Sequence, residues 1–404
     1  MFQWISTANT HYGRKALAEL LEKPDKQIER IKIRQKAIRE LSAREDFCQK
    51  LQCEGMLAKG IAVDPQNLLS FTEDTSRRFK GEWVQNLFYV LPASVILAFV
   101  LFFLGGPIPL FVPLILLAFQ MTVSAVGYSK NSEITNSVYG MKKQLGAFGN
   151  LLQLIEEESF ENETLRGLKK QLFNEKQPAS EALKKLEKVS SAIDIKFSTV
   201  VYFLFNFGLL WDYHCVFALE EWKRQYGSRV RKWLDAIGQI EAYASLAVIG
   251  QINPEWDFPE FHKEGLAFSA VQMGHPLIPH ESCICNDFEI KSGACVITGS
   301  NMSGKTTLLR TIGINLVLAY AGAPVFAQKL ECPVLDMFTS MRVRDDLNGG
   351  ISTFYAELLR IREIINYSQK KEPMIYLIDE IFKGNNSMDR IAGARSVLKN
   401  LSKS

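Results

Sequence analysis

Lys305, Thr306, Asp379 and Glu380 are the side chains whose types and spacing could do chemistry in this sequence. The run Gly299-Ser300-Asn301-Met302-Ser303-Gly304-Lys305-Thr306 fits the pattern G-x-x-x-x-G-K-S/T, and Thr307 follows it. Ala294-Cys295-Val296-Ile297-Thr298 before the run reads as a buried strand, and Thr307-Leu308-Leu309-Arg310-Thr311-Ile312 after it reads as a helix. Strand, glycine loop and helix in that order make an anion cradle, because backbone N–H groups and the helix N-terminus both point at phosphate oxygens. Residues 299–307 then enclose the phosphates of a nucleoside triphosphate. Lys305 reaches the β- and γ-phosphates, and the Thr306 hydroxyl ligates Mg²⁺.

A second segment supports the first. Met374-Ile375-Tyr376-Leu377-Ile378-Asp379-Glu380 is an apolar strand ending in two carboxylates. Asp379 is placed to hold Mg²⁺ through water, and Glu380 to orient or deprotonate an attacking water. The plainer alternative is a strand followed by an acidic helix cap, since carboxylates favour helix starts.

The elements that must position these groups sit in a chain of uneven composition. Its 404 residues are enough for two or three domains, and a net charge of +3 excludes a global basic field. The seven cysteines are scattered, with no zinc-like clustering and no disulfide framework, which fits a reducing compartment. The N-terminus lacks the pattern of a signal peptide. Residues 86–104 and the stretch up to Tyr128 form two uncharged runs separated by Gly105-Gly106-Pro107-Ile108-Pro109. Each is about as long as a bilayer-spanning helix requires. Arg77, Arg78, Lys80, Lys130, Lys142 and Lys143 flank the outer ends and the turn has no charge, so both ends are expected in the cytoplasm. Trp83 and Tyr128 fall where interfacial aromatics belong. The opposing reading is a pair of helices buried in a large soluble core. Residues 197–219 form a third apolar stretch containing Asn206, Asp212 and His214. A charge at mid-depth is expensive, so a buried or interfacial helix is expected there, with Asp212 and His214 as satisfied polar groups rather than ligands.

Residues 1–85 read as helical, with a helix from about Lys26 to Leu41 placing Ile28, Ile31, Ile38 and Leu41 on one face. Residues 129–250 are again helix-rich and charged. Lys169, Lys170, Lys184, Lys185 and Lys188 are open to two readings, a solvated face or a surface for nucleic acid or lipid headgroups. Residues 251–404 turn to β-rich sequence leading into the glycine loop. The expected organisation is therefore an N-terminal helical segment (1–85), a two-helix transmembrane hairpin (86–128), a second helical region (129–250) and a phosphate-loop domain (251–404).

Several motifs now resemble one family. Thr298 to Arg310, TGSNMSGKTTLLR, closely resembles the TGPNMGGKST loop of the MutS family of mismatch-repair ATPases. Asp345-Asp346-Leu347, then Ser352-Thr353-Phe354 and Glu357, is similar to that family's DDL…STFxxE segment. Leu377-Ile378-Asp379-Glu380-Ile381 with Gly384, Ser387 and Asp389 resembles its DEIGRGTSTxDG block, with Phe382-Lys383 standing in place of Gly-Arg. Gly274-His275-Pro276-Leu277-Ile278 and Asn286-Asp287 resemble the GRHPLI and ND positions. Thr10-x-x-Gly13-Arg14, Leu21-x-x-Pro24, Arg34-Gln35-x-Ala37-x-x-Glu40-Leu41 and Ile240-Glu241 through Ala247 are similar to its lever region.

The resemblance implies a helical lever and core region followed by a P-loop ATPase domain of the ABC/MutS type; it does not extend to the transmembrane helical hairpin read from composition, and together the two give an expected α plus α/β fold. It implies ATP and Mg²⁺ as cofactors, Mg²⁺-dependent ATP hydrolysis with Lys305, Glu380 and Ser352 as catalytic residues, and a homodimer through the ATPase domains. Ser352 would contact the γ-phosphate held by the neighbouring copy; as a residue type it is equally an N-cap for the helix after it. DNA is a plausible partner, the alternative being an ATP-dependent switch that acts on the membrane or on a protein partner without DNA, and a multi-pass inner-membrane location with a cytoplasmic ATPase domain is expected. The sequence starts at the lever-like segment without a Phe-x-Glu wedge, so direct mismatch reading is not expected. It ends at Ser404, one helix after the Asp379 strand, where a P-loop sheet has further strands; a fragment and a weakened ATPase are both open readings.

Overall fold

The computed structural model describes residues 1–58, 64–74, 82–174, 177–262, 265–291, 293–300, 302–341, 353–370, 372–382 and 387–401. In chain order the helices are α1 (Phe2–Ile5), α2 (His11–Glu22), α3 (Ile28–Ser42), α4 (Glu45–Leu57), α5 (Gln66–Glu73), α6 (Glu82–Phe103), α7 (Phe111–Gly140), α8 (Lys142–Glu157), α9 (Glu163–Gln171), α10 (Ala179–Ala192), α11 (Thr199–Leu209), α12 (Trp211–Tyr226), α13 (Val230–Ile252), α14 (Lys305–Ala321), α15 (Thr353–Ser368) and α16 (Ser387–Leu401). The strands are β1 (Phe173–Asn174), β2 (Gln177–Pro178), β3 (Glu260–Phe261), β4 (Phe268–Met273), β5 (Asn286–Ile290), β6 (Lys329–Cys332), β7 (Asp336–Ser340) and β8 (Met374–Ile378). By contacts the chain divides into two units, one of residues 1–6, 16–45 and 242–404, the other of residues 7–15 and 46–241.

The second unit is helical apart from the β1–β2 pair. α8 turns Leu145, Phe148, Leu152 and Ile155 inward at helical spacing, and α10 meets it with Ala179, Ala182, Leu183 and Leu186. α9 starts on Asn162, whose side chain accepts from the N–H groups of Thr164 and Leu165, and ends on Lys169 and Lys170, which suit the helix dipole. Lys169 donates to Glu158 O, Lys184 to Gln153 Oε1 and Lys185 to the Tyr226 hydroxyl, so these three lysines are engaged locally.

α6 and α7 are long and apolar enough to cross a membrane. They are joined by a turn in which Gly105, at φ +75°, takes a conformation that side chains resist. Large apolar side chains on both helices, Leu97, Phe103, Phe111, Ile115 and Phe119 among them, face outward. α7 continues past the apolar stretch to Gly140.

Residues 197–219 are not one helix. They break at Leu210, which sits at φ +55° between α11 and α12. Asp212 is buried and accepts from the Tyr202 hydroxyl at 2.6 Å, with Lys196 Nζ 3.5 Å away, so it is partnered rather than free to ligate.

A buried carboxylate fixes the N-terminal strand of contacts in this unit. Glu241 of α13 accepts from the Asn9 N–H (3.1 Å), the Thr10 N–H (3.3 Å) and the Thr10 hydroxyl. Thr10 Oγ1 in turn accepts from the Gly13 N–H at 2.8 Å. Gly13 lies so close to the Glu241 carboxylate that a Cβ there would overlap it. The Thr10-x-x-Gly13 and Ile240-Glu241 motifs, more than 200 residues apart, are two halves of one contact.

In the first unit β3, β6, β4 and β5 form a mixed sheet in that order, β3 parallel to β6 and the others antiparallel. β7 and β8 pair in parallel. α14 lies against β8, with Gly313 facing Leu377, and α15 packs with α16 and β7. Arg34 of α3 donates to the carbonyls of Tyr320 (3.2 Å) and Ala321 (3.3 Å) at the C-terminus of α14 and pairs with Asp25 at 3.3 Å. Gln35 donates to Pro259 O at 2.9 Å.

The strand expected over residues 294–298 does not form among the described residues. A strand persists by exchanging N–H and C=O bonds with a neighbour, and no ladder reaches this segment. Val296 is 64% exposed, while Ile297 borders an apolar cavity of about 240 Å³ together with Leu309, Ile312, Ile375 and Leu377.

Gly13→Ala should destabilise the protein by about 1–3 kcal/mol, the usual cost of an atom forced into filled space, as read from urea unfolding in detergent. Burial raises the Glu241 pKa above the ordinary 4.5, against the hydrogen bonds from Thr10 and Asn9, which lower it. The folded state therefore holds that proton more tightly than the unfolded chain. The stability from this group is complete below the unfolded pKa and is lost as pH rises through the folded one. Glu241→Gln should flatten that fall; an unchanged pH profile would remove Glu241 as its source.

Candidate functional site

β8 presents its C-terminal end to the glycine loop. The β7–β8 ladder runs from Asp336 opposite Met374 to Ser340 opposite Ile378, and one further bond, Asp379 N–H to Ser340 O at 2.9 Å, carries it past the strand end. The Asp379 carboxylate is thereby fixed at the edge where ligands sit in parallel α/β sheets.

α14 brings the other half. Its N-cap, Gly304, is at φ +88°, which glycine adopts without strain. Gly304 has no side chain with which to cap the helix and the first turn holds no acidic residue, which leaves the N-terminus suited to an anionic acceptor. Lys305 turns back over the loop and donates to Gly299 O (3.0 Å), Ser300 O (2.5 Å) and Ser303 Oγ (3.4 Å). Those bonds keep the ammonium beside the helix N-terminus, where an anion could replace the carbonyls. Met302 is at φ +64° with its side chain fully in solvent, and Thr307 is exposed.

The two halves meet through one bond. Thr306 Oγ1 donates to Asp379 Oδ2 at 2.7 Å. The hydroxyl and carboxylate together offer hard oxygen atoms suited to Mg²⁺. Among the described residues no three His, Cys, Asp or Glu side chains cluster as a metal cage. That donor set fits Mg²⁺, which keeps several waters and binds through one or two protein oxygens plus phosphate.

Glu380 follows at φ +52° on the exposed side, and Phe382 at φ +57° is buried. The Phe382 N–H donates to Glu357 Oε1 at 2.5 Å, and its ring packs with Ile361, Ile364, Val397 and Leu401. Gly393 leaves room for that ring, since a Cβ there would lie 2.6 Å from it. The turn carrying Glu380 is thus held from α15 and α16.

Lys305, Thr306, Asp379 and the described part of residues 299–307 come together. Ser352, Asn301, Asp345, Asp346, Leu347 and Gly384 lie outside the described residues. The cavity beside Ile297 is apolar and lined by none of Lys305, Thr306 or Asp379.

Sequence reasoning missed Asn315, and it singled out Arg34 only within a motif, without its role at the C-terminus of α14. Asn315 is fully buried in α14, donates to Gly274 O (3.0 Å) and Thr311 O (2.9 Å), and accepts from the Phe326 N–H (2.9 Å). A lone Asn in an apolar helix was the signal available. Gly274 is required by the Phe326 ring, against which any Cβ would press at 2.6 Å. Burial lowers the His275 pKa, and Arg310 lowers it further; its Nδ1 accepts from the Leu277 N–H at 3.2 Å. Asp287 accepts from the N–H of Gln272, a residue at φ +51° in a β-bulge. The Gly274–Ile278 and Asn286-Asp287 motifs therefore serve the placement of α14 and β4.

Comparison with known proteins bears on the same stretch. Residues 295–404 match the family model of MutS domain V. DNA mismatch repair protein MutS of Haloquadratum walsbyi is 35% identical over 176 residues, covering 43% of this chain and 18% of that protein. MutS of Petrotoga mobilis is 29% identical over 178 residues, covering 43% and 21%. MutS of Desulfovibrio desulfuricans is 28% identical over 239 residues, covering 57% and 24%. The chain thus spans about a fifth of the length of the curated relatives it matches. In its C-terminal part, which carries the glycine loop and the Asp379 strand, the chain is similar to domain V of MutS proteins.

Proposed function

We propose that this chain is a membrane-anchored, MutS-like ATP-binding switch. The observation that carries the reading is the Thr306–Asp379 bond, which sets a hydroxyl and a carboxylate beside a lysine and a helix N-terminus that starts on glycine. Residues 299–307 would enclose the phosphates. Lys305 would exchange its loop carbonyls for phosphate oxygens, and Thr306 and Asp379 would hold Mg²⁺. The metal, when bound, neutralises charge on the phosphate oxygens. Glu380 would accept the proton of an attacking water, and its left-handed backbone is the kind of strain that surrounding structure must maintain.

Ser352 of a second copy would complete the site, so that ATP occupancy is felt at a dimer interface. α6 and α7 would cross the inner membrane with both ends, and the ATP site, in the cytoplasm. The relatives are named DNA mismatch repair proteins, which supports DNA as the partner that closure acts on. A second reading keeps the switch without DNA, closure acting on the membrane or on a protein. One observation favours it: Lys169, Lys184 and Lys185 are bonded within their own unit instead of forming a free basic array.

Lys305→Ala should weaken ATP binding roughly 10- to 150-fold, the loss of a charge-assisted contact; unchanged affinity would defeat the site. Glu357→Ala leaves the Phe382 N–H without its acceptor. It should cost about 1–3 kcal/mol in stability and slow ATP turnover while ATP affinity is kept, which a paired binding and turnover assay separates. For the partner, anisotropy of duplex and branched DNA with non-hydrolysable ATP should show binding that falls steeply with salt. Absence of DNA binding beside intact ATP binding selects the second reading.

A further inference from the structure

α11 and α12 carry an arrangement that the nucleotide site does not explain. α11 has eleven residues, about 16 Å of helix, which is half of a bilayer core of about 30 Å. Its contacts with α7 run in reverse chain order. Lys196, just before α11, donates to Thr135; the Tyr202 ring lies 6.5 Å from that of Tyr128; and the carbonyls of Phe207 and Gly208 meet Gln120. After the break at Leu210 the chain returns along α7 and α6: Tyr213 donates to Val123 O, and Phe217 packs on Phe88 near the start of α6. Further along α12, Trp222 donates to Ala182 O of the charged helix α10. The segment goes in beside α7, turns near the middle of its apolar stretch, and comes back out.

The backbone groups freed by the break are answered from inside the protein. Gln120, fully buried on the apolar helix α7, donates from Nε2 to Phe207 O at 2.7 Å and to Gly208 O at 2.8 Å. Asn206 Oδ1 accepts from the Asp212 N–H at 3.2 Å at the start of α12. A helix end in water would be served by solvent at no such expense. At membrane depth an interrupted helix is tolerated only where protein groups satisfy its carbonyls and N–H groups. Beyond Thr199 the outer face of α11 is apolar, with Val200 81% and Leu204 70% exposed beside Phe203 and Leu209, and α7, on which it packs, exposes Phe111, Ile115 and Phe119.

We propose that α11 and α12 form a re-entrant hairpin that dips halfway into the bilayer from the side where α6 starts, its outer face covered by lipid acyl chains and its tip held by Gln120. This rests on the membrane reading of α6 and α7. Nitroxide labels at L204C, L209C and A218C, with L97C on α6 as reference, test it by power saturation with oxygen and a water-soluble nickel chelate. The full chain is used in phosphatidylcholine–phosphatidylglycerol vesicles, with Cys53, Cys283, Cys285 and Cys295 replaced by Ser. The oxygen-to-nickel accessibility ratio should rise from position 204 to 209, reach that of position 97, and fall several-fold at 218. Labels at 204 and 209 that meet nickel, or are shielded from both reagents, while 97 stays in lipid would overturn the hairpin and leave the spans standing. A label at 218 reached only from the opposite side of the vesicle would make the segment a full crossing and overturn it too. A label at 97 in water would remove the membrane reading itself, and the hairpin with it.

Discussion

The Thr306–Asp379 hydrogen bond is the contact on which the candidate site depends, because it joins segments 73 residues apart that no local structure holds together. Its 2.7 Å length is set from both sides. On the Asp379 side, β8 is registered by β7 over five residue pairs, and the Asp379 N–H bond to Ser340 O stops the carboxylate from swinging away with the following turn. On the Thr306 side, α14 is positioned along its length by Gly313 against Leu377, by Asn315 between Gly274 and Phe326, and by Arg34 at its last carbonyls. Moving either element by an ångström would break the bond. Gly274 and Arg34, each part of a motif outside the glycine loop, oppose that movement.

What could be read in the sequence follows from the range of the forces involved. The start of α14, the course of β8 and the two long apolar helices are written in local pattern, a glycine before a lysine or an unbroken apolar run, and they were legible. Residues 294–298 have the composition of a strand, but a strand is a relation between two segments, and composition cannot supply the neighbour. The break at Leu210 was also invisible, since nothing in residues 197–219 is a helix breaker of the proline kind. It is held by Gln120, some 90 residues earlier, so the signal for it lay in a different helix. The contact of Thr10 and Gly13 with Glu241 was seen only as a resemblance; its physical content, a buried carboxylate needing donors and a missing Cβ, required coordinates.

The Phe382 position shows how a departure from a family pattern can be absorbed. The resembling motif has glycine there, and φ +57° is where glycine is at ease and phenylalanine is not. A side chain in that region costs on the order of 1–3 kcal/mol. Burying a Phe ring among Ile361, Ile364, Val397 and Leu401 returns about 1.5–3 kcal/mol, so the two effects are of the same size. The Glu357 bond to the Phe382 N–H then decides the outcome in favour of the left-handed turn. Glu380, two residues earlier and also left-handed, inherits its backbone direction from that arrangement. The substitution therefore changes what anchors the turn without requiring the turn to change.

Arg34 raises the question of how α3 could sense the opposite end of α14. The helix has seventeen residues and is about 25 Å long. Two unit charges at that separation interact by only about 0.2 kcal/mol in water, and the distance exceeds a Debye length of about 10 Å. A charge arriving at the glycine loop cannot therefore act on Arg34 through its field. The link that remains is mechanical. α14 is a rigid rod, gripped at its C-terminal carbonyls by Arg34 and along its length by Asn315, and a small rotation at Lys305 must be accommodated at those grips. Because Arg34 is itself tied to Asp25, and Lys26 next to it bonds Asp336 at the start of β7, the N-terminal segment touches both the helix and the strand pair that build the site. Relative movement of α14 and β7 cannot leave that segment unaffected, which makes residues 25–35 the part of this unit best placed to register the state of the loop.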